Sequence, residues 1–404
     1  MHSSRLCAAA LALSLSAAAQ ADPALEHAEK VLDEAILFDG HNDLPWAIRE
    51  HPVAKGDLGK YDLRERAPAP GQTDIPRLRA GRLSAQFWSV YTPPEAPGNF
   101  ARTQLEQIDL ARRIIATYPD TFILCSTAAD IRAAKKAGLI GGMLGIEGGH
   151  SIEDSLGALR TYYDLGVRYM TLTHNRHTNW ADSALEEPPR FNGLNGLGEQ
   201  VVAEMNRIGM LVDLSHTSPD TMRDALRVSQ APVIFSHAAA RGMTEIPRNV
   251  PDDVLDMLGK NGGVVMVTFV AGFVSQDAAD ALLPFIQEYL ARASGKSDEE
   301  RKAIYEELKA GLVMPKVSVA DVADHIEYIR DRIGVDHVGI GGDYDGNENW
   351  PEGMEDVTGY PLLFAELVRR GWSDADLRKL AGENLLRALE QAEAVARRLQ
   401  QETP

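Results

Sequence analysis

Short apolar, β-rich runs alternate along this chain with longer stretches of helical spacing. The runs fall at residues 35–38 (AILF), 84–91 (SAQFWSVY), 121–126 (TFILCS), 141–149 (GGMLGIEGG) and 167–175 (VRYMTLTHN). They continue at 210–216 (MLVDLSH), 232–237 (PVIFSH), 262–270 (GGVVMVTFV) and 336–346 (DHVGIGGDYDG). Between them lie segments such as TQLEQIDLARRIIAT, SLGALRTYYDLG and LGEQVVAEMNRIG, whose apolar positions recur at helical spacing. Strands that alternate with helices predict βα units and a parallel sheet. With TFILCS set aside as an accessory strand, eight runs remain. That is the pattern of an α/β chain folded as a (β/α)8 TIM-type barrel. An open doubly wound sheet is the alternative. The main interruption is a helical insertion near residues 275–314, read as two charged, amphipathic helices. It is expected to be a surface elaboration, a solvated hairpin apart from the chemistry, with a lid or a subunit contact as alternatives.

The ends of the runs change the picture from architecture to chemistry. The first run breaks at Asp39-Gly40 and is followed by His41 and Asp43. Glu147 closes GGMLGIEGG, and His174, His216 and His237 close three more. Asp343 and Asp345 sit in the last. Taken singly, each has an ordinary role as a turn, cap or buried polar residue. Taken together, six of eight strands end in a group that binds metal or moves protons. In a barrel, all those ends lie on the face where active sites are built. His41, Asp43, Glu147, His216 and His237 make five candidate metal ligands. One tetrahedral zinc with an open position needs three. Two cations could instead share Glu147, one with His41 and Asp43, the other with His216 and His237. A hydroxide bridging them would then be the nucleophile. Histidine and carboxylate donors suit zinc.

Composition narrows the class. The chain has 404 residues with 44% hydrophobic and 25% charged side chains, enough to bury a sizeable core. A net charge of −18 argues against a nucleic-acid partner. MHSSR, an apolar run and Ala19-Gln20-Ala21 together match a secretory signal. Residues 1–21 are therefore expected to be a signal peptide cleaved near Ala21. Residues 22–404 would form a single catalytic domain, periplasmic or secreted. Cys125 is then the one remaining cysteine, so no internal disulfide is expected. No lipid-anchor signal is evident, and no stable membrane anchor is expected.

The segments DGHNDLPW, IEGGHSIED, RYMTLTHNRHTNWADS, DLSHTS, SHAAAR, RNVPDDVLDML and VGIGGDYDG resemble the renal, or membrane, dipeptidase family of binuclear zinc amidohydrolases. The resemblance runs from about Asp39 to Glu390. It implies a (β/α)8 barrel that hydrolyses dipeptides with a free C-terminal carboxylate. Some relatives also take dehydropeptides, carbapenem-type β-lactams or a C-terminal D-residue. It implies the same five ligands, with two zinc ions bridged by Glu147. His174 matches a substrate-binding histidine that stabilises the oxyanion. Arg248 matches the arginine that receives the substrate carboxylate, and Asp343 the aspartate that shuttles the proton. Without the resemblance, Arg248 reads as a surface arginine near Asp252 and Asp253. Asp343 is preferred to Asp345 because it directly ends the run. His150 also matches a family position, as a structural residue. Unlike animal members, this chain lacks paired cysteines, so a disulfide-linked dimer is not expected, though a homodimer is left open. Small dipeptides are the expected partners. The alternatives are lactone or phosphotriester hydrolysis, or a catalytically retired binding protein on the same barrel.

Overall fold

The computed structural model describes residues 22–67, 71–95 and 98–402. Nine strands form one sheet: β1 (Phe38–Asn42), β2 (Ala85–Ser89), β3 (Phe122–Leu124), β4 (Ile140–Glu147), β5 (Val167–Thr171), β6 (Leu211–Asp213), β7 (Ile234–Ala238), β8 (Val264–Val267) and β9 (Val338–Ile340). Their order is β2-β1-β9-β8-β7-β6-β5-β4-β3, and β2 also pairs with β4. All of these pairings are parallel. The sheet thus closes on eight strands, with β3 outside the closure, as the eight-run reading requires. β4 is long enough to explain the extra strand. β5 pairs with it only from Leu144 onward, so Ile140 to Gly142 would leave an open edge, and β3 fills it.

Two of the boundaries that differ from the pattern in the sequence bear on the site. The first run was expected at residues 35–38, but β1 spans Phe38–Asn42 and continues through Asp39-Gly40. Asp39 is fully buried, and its carboxylate accepts from the backbone N–H of His41 and Gly342, the amide of Gln86 and the hydroxyl of Tyr360. That network lets a charged residue stay in the strand. Gly40 faces crowded atoms: a Cβ there would lie 2.4 Å from the Met266 sulfur and 2.8 Å from the Ser236 carbonyl oxygen. The last run is shorter than read. β9 ends at Ile340, and Asp343 and Asp345 lie beyond it in left-handed conformations, with φ of 65° and 61°. Asp343 therefore does not directly end a strand, as had been supposed.

The insertion does consist of two helices, Gln276–Ala293 and Asp298–Lys309, between β8 and β9. Ser297 and Glu300 close a reciprocal capping box at the start of the second helix. The closing helix, Asn384–Glu402, buries Leu385, Leu386 and Leu389 in a cluster that includes Phe38 of β1 and Ala85 of β2. Cys125 is free and buried. The expected signal peptide, with Cys7, lies outside the described residues. Among the described residues, no helix is long and apolar enough to cross a membrane.

Candidate active site

The C-terminal ends of the strands deliver their polar residues to one point. His41 and His237 lie within β1 and β7, and Glu147 is the last residue of β4. His174 and His216 follow β5 and β6 by three residues, and Asp43 follows β1 directly. His216 reaches inward from a left-handed turn with φ of 64°. Glu147 is the centre. Its Oε2 lies 3.6 Å from His41 Nε2. Its Oε1 lies 3.0 Å from His216 Nε2 and 3.5 Å from the Nε2 atoms of both His237 and His174. On the Oε2 side, Asp43 Oδ2 is 3.2 Å and Asp343 Oδ1 3.9 Å from His41 Nε2. The two carboxylate oxygens thus face different donors. Groups that could hold an ion are His41–Glu147–His237, Glu147–His174–His216 and His41–Asp43–Asp343, each with donor atoms within 4.8 Å of one another.

The outer partners of the rings bear on whether a cation fits. His41 Nδ1 is 2.8 Å from the Tyr169 hydroxyl, and His216 Nδ1 is 3.0 Å from Asn175 Oδ1. His237 Nδ1 is 2.9 Å from Ser236 Oγ, which itself donates to the buried Asp213 carboxylate at 2.6 Å. His216 and His237 therefore donate their Nδ1–H outward and turn an Nε2 lone pair to the centre, and the Tyr169 hydroxyl can take the Nδ1–H of His41 in the same way. The Nε2 atoms of His216 and His237 stand 3.0 Å apart, with a Glu147 oxygen beside both. Among the described residues, His41 Nε2 and Asp43 Oδ1 are buried without a hydrogen-bond partner. Converging lone pairs and carboxylates of this kind fit a cation among them. His174 differs: its Nδ1 has no partner among the described residues, so nothing fixes its tautomer from outside.

The comparisons with known proteins agree with that chemistry. The family model for membrane dipeptidase, peptidase family M19, matches residues 25–403. The chain belongs to the membrane dipeptidase family. Over 385 residues it is 41% identical to the dipeptidase aclJ of Aspergillus oryzae, covering 93% of this chain and 82% of that protein. Over 380 residues it is 42% identical to dipeptidase 3 of Mus musculus, covering 93% and 68%. Among solved structures, a probable dipeptidase, PvdM, of Pseudomonas aeruginosa superposes with a TM-score of 0.80 at 25% identity, covering 92% of this chain and 99% of that one. A metallopeptidase of Rhodobacter sphaeroides, solved with a phosphinate mimic of L-Ala-D-Ala, gives 0.70 at 27%, covering 89% and 99%. The protein is a metallo-dipeptidase.

Electrostatics in this dipeptidase follow from burial. Burial pushes the Glu147 and Asp343 carboxyls above their ordinary range, against the pull of His41, with Asp43 adding repulsion to both. Burial, then the Arg248 guanidinium for His216 and the His41 ring for His237, holds those rings well below the ordinary imidazole value. His174 is likewise held low, by burial and then by His150. Against the downward push of burial, Tyr169, Asp43 and Glu147 hold the His41 ring well above the ordinary imidazole value. The neutral rings of His174, His216 and His237 keep their lone pairs for a cation, and crowded carboxyls favour one. Arg248 is not on the surface: it is only 2% exposed, its guanidinium lies 5.1 Å from the Phe273 ring centre, and its Nη1 has no partner among the described residues. Burial pushes it down to about 10, opposed by Asp343 and Glu147, so it remains a cation at neutral pH. It lines one cavity of about 300 Å³ with Asp43, Glu147, His174, His216 and Asp343. Asp345 also lines it, but its Oδ1 accepts from the Gln72 N–H at 2.9 Å. His150 donates from Nε2 to the Thr92 carbonyl at 2.8 Å and is absent from that lining.

Tyr169, Asn175, Ser236 and Asp213 were missed in the sequence. Asn175 lies one residue after His174 and Ser236 one residue before His237, the local signals among them. Tyr169 reads as a core aromatic, and Asp213 and Ser236 as strand residues.

Proposed function

We propose that the enzyme hydrolyses dipeptides with a free C-terminal carboxylate, using two zinc ions bridged by Glu147. His41 and Asp43 would hold one ion, and His216 and His237 the other. The observation that carries the reading is Arg248: a buried cation with a nitrogen unpartnered among the described residues, in the same cavity as the Glu147 cluster. A guanidinium so placed matches a carboxylate in two parallel bonds. The bound ions would polarise the scissile carbonyl and lower the pKa of the attacking water.

The chain's own residues would do the rest. Arg248 holds the substrate carboxylate and sets its register. His174 fits substrate binding better than ligation, because it lacks the outer partner that the other three rings have. It donates to the carbonyl oxygen as negative charge develops there. Asp343 takes a proton from the attacking water and delivers it to the departing amine. Its position within 3.9 Å of His41 Nε2, at the edge of the cluster, supports that part. The Rhodobacter sphaeroides structure, with its dipeptide mimic, supports the same substrate class. We also read residues 22–404 as one domain, exported after cleavage near Ala21, on the strength of the basic, apolar and small-residue pattern that precedes it.

Replacing Arg248→Met tests the assignment. KM for dipeptides is expected to rise about 10- to 100-fold, the worth of a charged hydrogen bond. A dipeptide amide, already poor, should lose little more. An unchanged KM for free dipeptides would sink the role given to Arg248. A panel of L- and D-dipeptides with and without chelator, alongside metal analysis, tests the two-zinc reading.

A further inference from the structure

The helical insertion, expected to be a solvated hairpin, instead walls the active-site cavity. Leu282, Phe285, Ile286 and Tyr289 of its first helix and Tyr305 of its second line that cavity. The first four fall at i, i+3, i+4 and i+7, one face of a helix. The rings pack edge to face, with Phe285 and Tyr289 at 5.4 and 5.9 Å from Tyr305. Leu282 is buried, but Phe285, Ile286, Tyr289 and Tyr305 keep part of their surface open. Lys309 is paired with Glu348 and lies over the Tyr305 ring, which fastens the hairpin to the loop after β9. Arg176, in the loop after β5, donates to the Leu290 carbonyl.

Position on the barrel gives this wall its subject. Arg248 follows β7, and the hairpin follows β8, its neighbour in the sheet. The contacts run on from the guanidinium: Arg248 sits over Phe273, and the next turn of chain packs Leu282 against Gly272, where a Cβ would stand 2.5 Å from a Leu282 methyl. Trp46 and Tyr91 follow β1 and β2, and their rings meet edge to face at 5.1 Å. A dipeptide held by its carboxylate at Arg248 would turn its C-terminal side chain toward the hairpin.

We propose that Phe285, Ile286, Tyr289 and Tyr305 form the subsite for the side chain of the dipeptide's C-terminal residue, and that this subsite selects large apolar or aromatic side chains. The inference rests on the dipeptidase reading with Arg248 at the carboxylate. An apolar wall discriminates by size and rejects a charge, because a carboxylate placed against it loses water without gaining a partner.

The test is kcat/KM of the zinc-loaded enzyme on Ala-Gly, Ala-Leu, Ala-Phe and Ala-Asp, with the second residue in both L and D forms, and on the mirror set Gly-Ala, Leu-Ala and Phe-Ala. Wild type is expected to favour Ala-Phe over Ala-Asp by at least about 10-fold. Phe285→Ala and Tyr305→Ala are each expected to lower the Ala-Phe to Ala-Gly ratio about 10-fold. Ile286→Trp, which fills the cavity rather than emptying it, should lower that ratio too by blocking large side chains, and it guards against an alanine variant that fails to fold. Ratios unchanged within about twofold in all three would overturn the proposal. So would a loss that falls on the Phe-Ala to Gly-Ala ratio, which would assign the hairpin to the N-terminal residue. Either outcome leaves the dipeptide reading standing. No hydrolysis of any dipeptide would refute that reading and this inference with it.

Discussion

Tyr169→Phe isolates the part played by the residues behind the proposed metal ligands. The hydroxyl of Tyr169 is 2.8 Å from His41 Nδ1, and both residues are completely buried. The ring itself is fixed by packing. Its centre lies 4.8 Å from that of Phe87, and a Cβ on Gly145 would meet its Cζ at 2.0 Å. Phenylalanine therefore keeps the volume and removes one oxygen. What remains is a buried imidazole N–H with no acceptor, at a cost of about 1–3 kcal/mol. The ring of His41 is also free to turn, and Nε2 loses its aim at the centre. Loss of such an outer partner lowers metal affinity about 10- to 100-fold, or roughly 1.4–2.7 kcal/mol.

The assay is competition for zinc with a chromophoric chelator, run beside thermal unfolding of the metal-stripped enzyme. We expect the proposed zinc site that includes His41 to weaken by that factor while the second proposed site, with His216 and His237, changes much less. The metal-stripped protein should unfold a few degrees lower. Zinc affinity within about twofold of wild type at both sites, with only the melting point lowered, would refute the reasoning: Tyr169 would then be a packing residue, and His41 would need no help to point inward.

Two further changes probe neighbouring parts of the design. Gly346→Ala places a Cβ 2.3 Å from Asp43 Oδ2 and 2.4 Å from Asp343 Oδ1, so both carboxylates must move; kcat should fall at least about 10-fold while circular dichroism is unchanged, and full activity would show that the carboxylates tolerate displacement. His325, remote from the cluster, accepts from the Ala240 N–H at 3.1 Å and is pushed by burial down to about 4. Its folded value lies below its unfolded one, so its contribution to stability is complete above about pH 6.5 and is lost as pH falls toward 4. Urea unfolding at pH 7 and pH 5 should show wild type losing about 2 kcal/mol more than His325→Gln over that step, and equal losses would count against a buried neutral ring.

The candidate ligands could be read in the chain because a parallel barrel makes one simple promise: every strand ends on the same face. His41, Asp43, Glu147, His174, His216 and His237 needed only that rule to be brought together. Their supporting residues needed more. Tyr169 lies 128 positions from His41, and nothing local distinguishes it from any other strand aromatic. Asp39 looked like a strand break because its partners, Gln86, Gly342 and Tyr360, come from three distant parts of the chain. Arg248 reads as exposed beside Asp252 and Asp253, yet those acids start a helix and the guanidinium turns inward. The hairpin's apolar stripe was visible, but a stripe states that a face is covered and not what covers it.

The mouth of the barrel combines strained turns with pinned backbone, and this separates two properties of the enzyme. His216, Asp343 and Asp345 are all non-glycine residues in the left-handed region, each costing on the order of 1 kcal/mol. They hold because hydrogen bonds clamp the chain around them. The His216 carbonyl accepts from the Ala184 N–H at 2.8 Å and the Thr173 hydroxyl at 3.0 Å. The Asp343 N–H donates to the His41 carbonyl at 3.1 Å, and the Asp43 N–H to the Tyr344 carbonyl at 2.8 Å. The ends of β1 and β9 therefore lock each other, and the cluster's geometry is set before anything binds. The aromatic wall is held differently. It stands on an inserted hairpin tied to the barrel rim by Lys309 and Arg176. Substrate range can then drift by changes in the hairpin without disturbing the donors around Glu147, whereas changes that touch the clamped turns should alter metal binding and catalysis together.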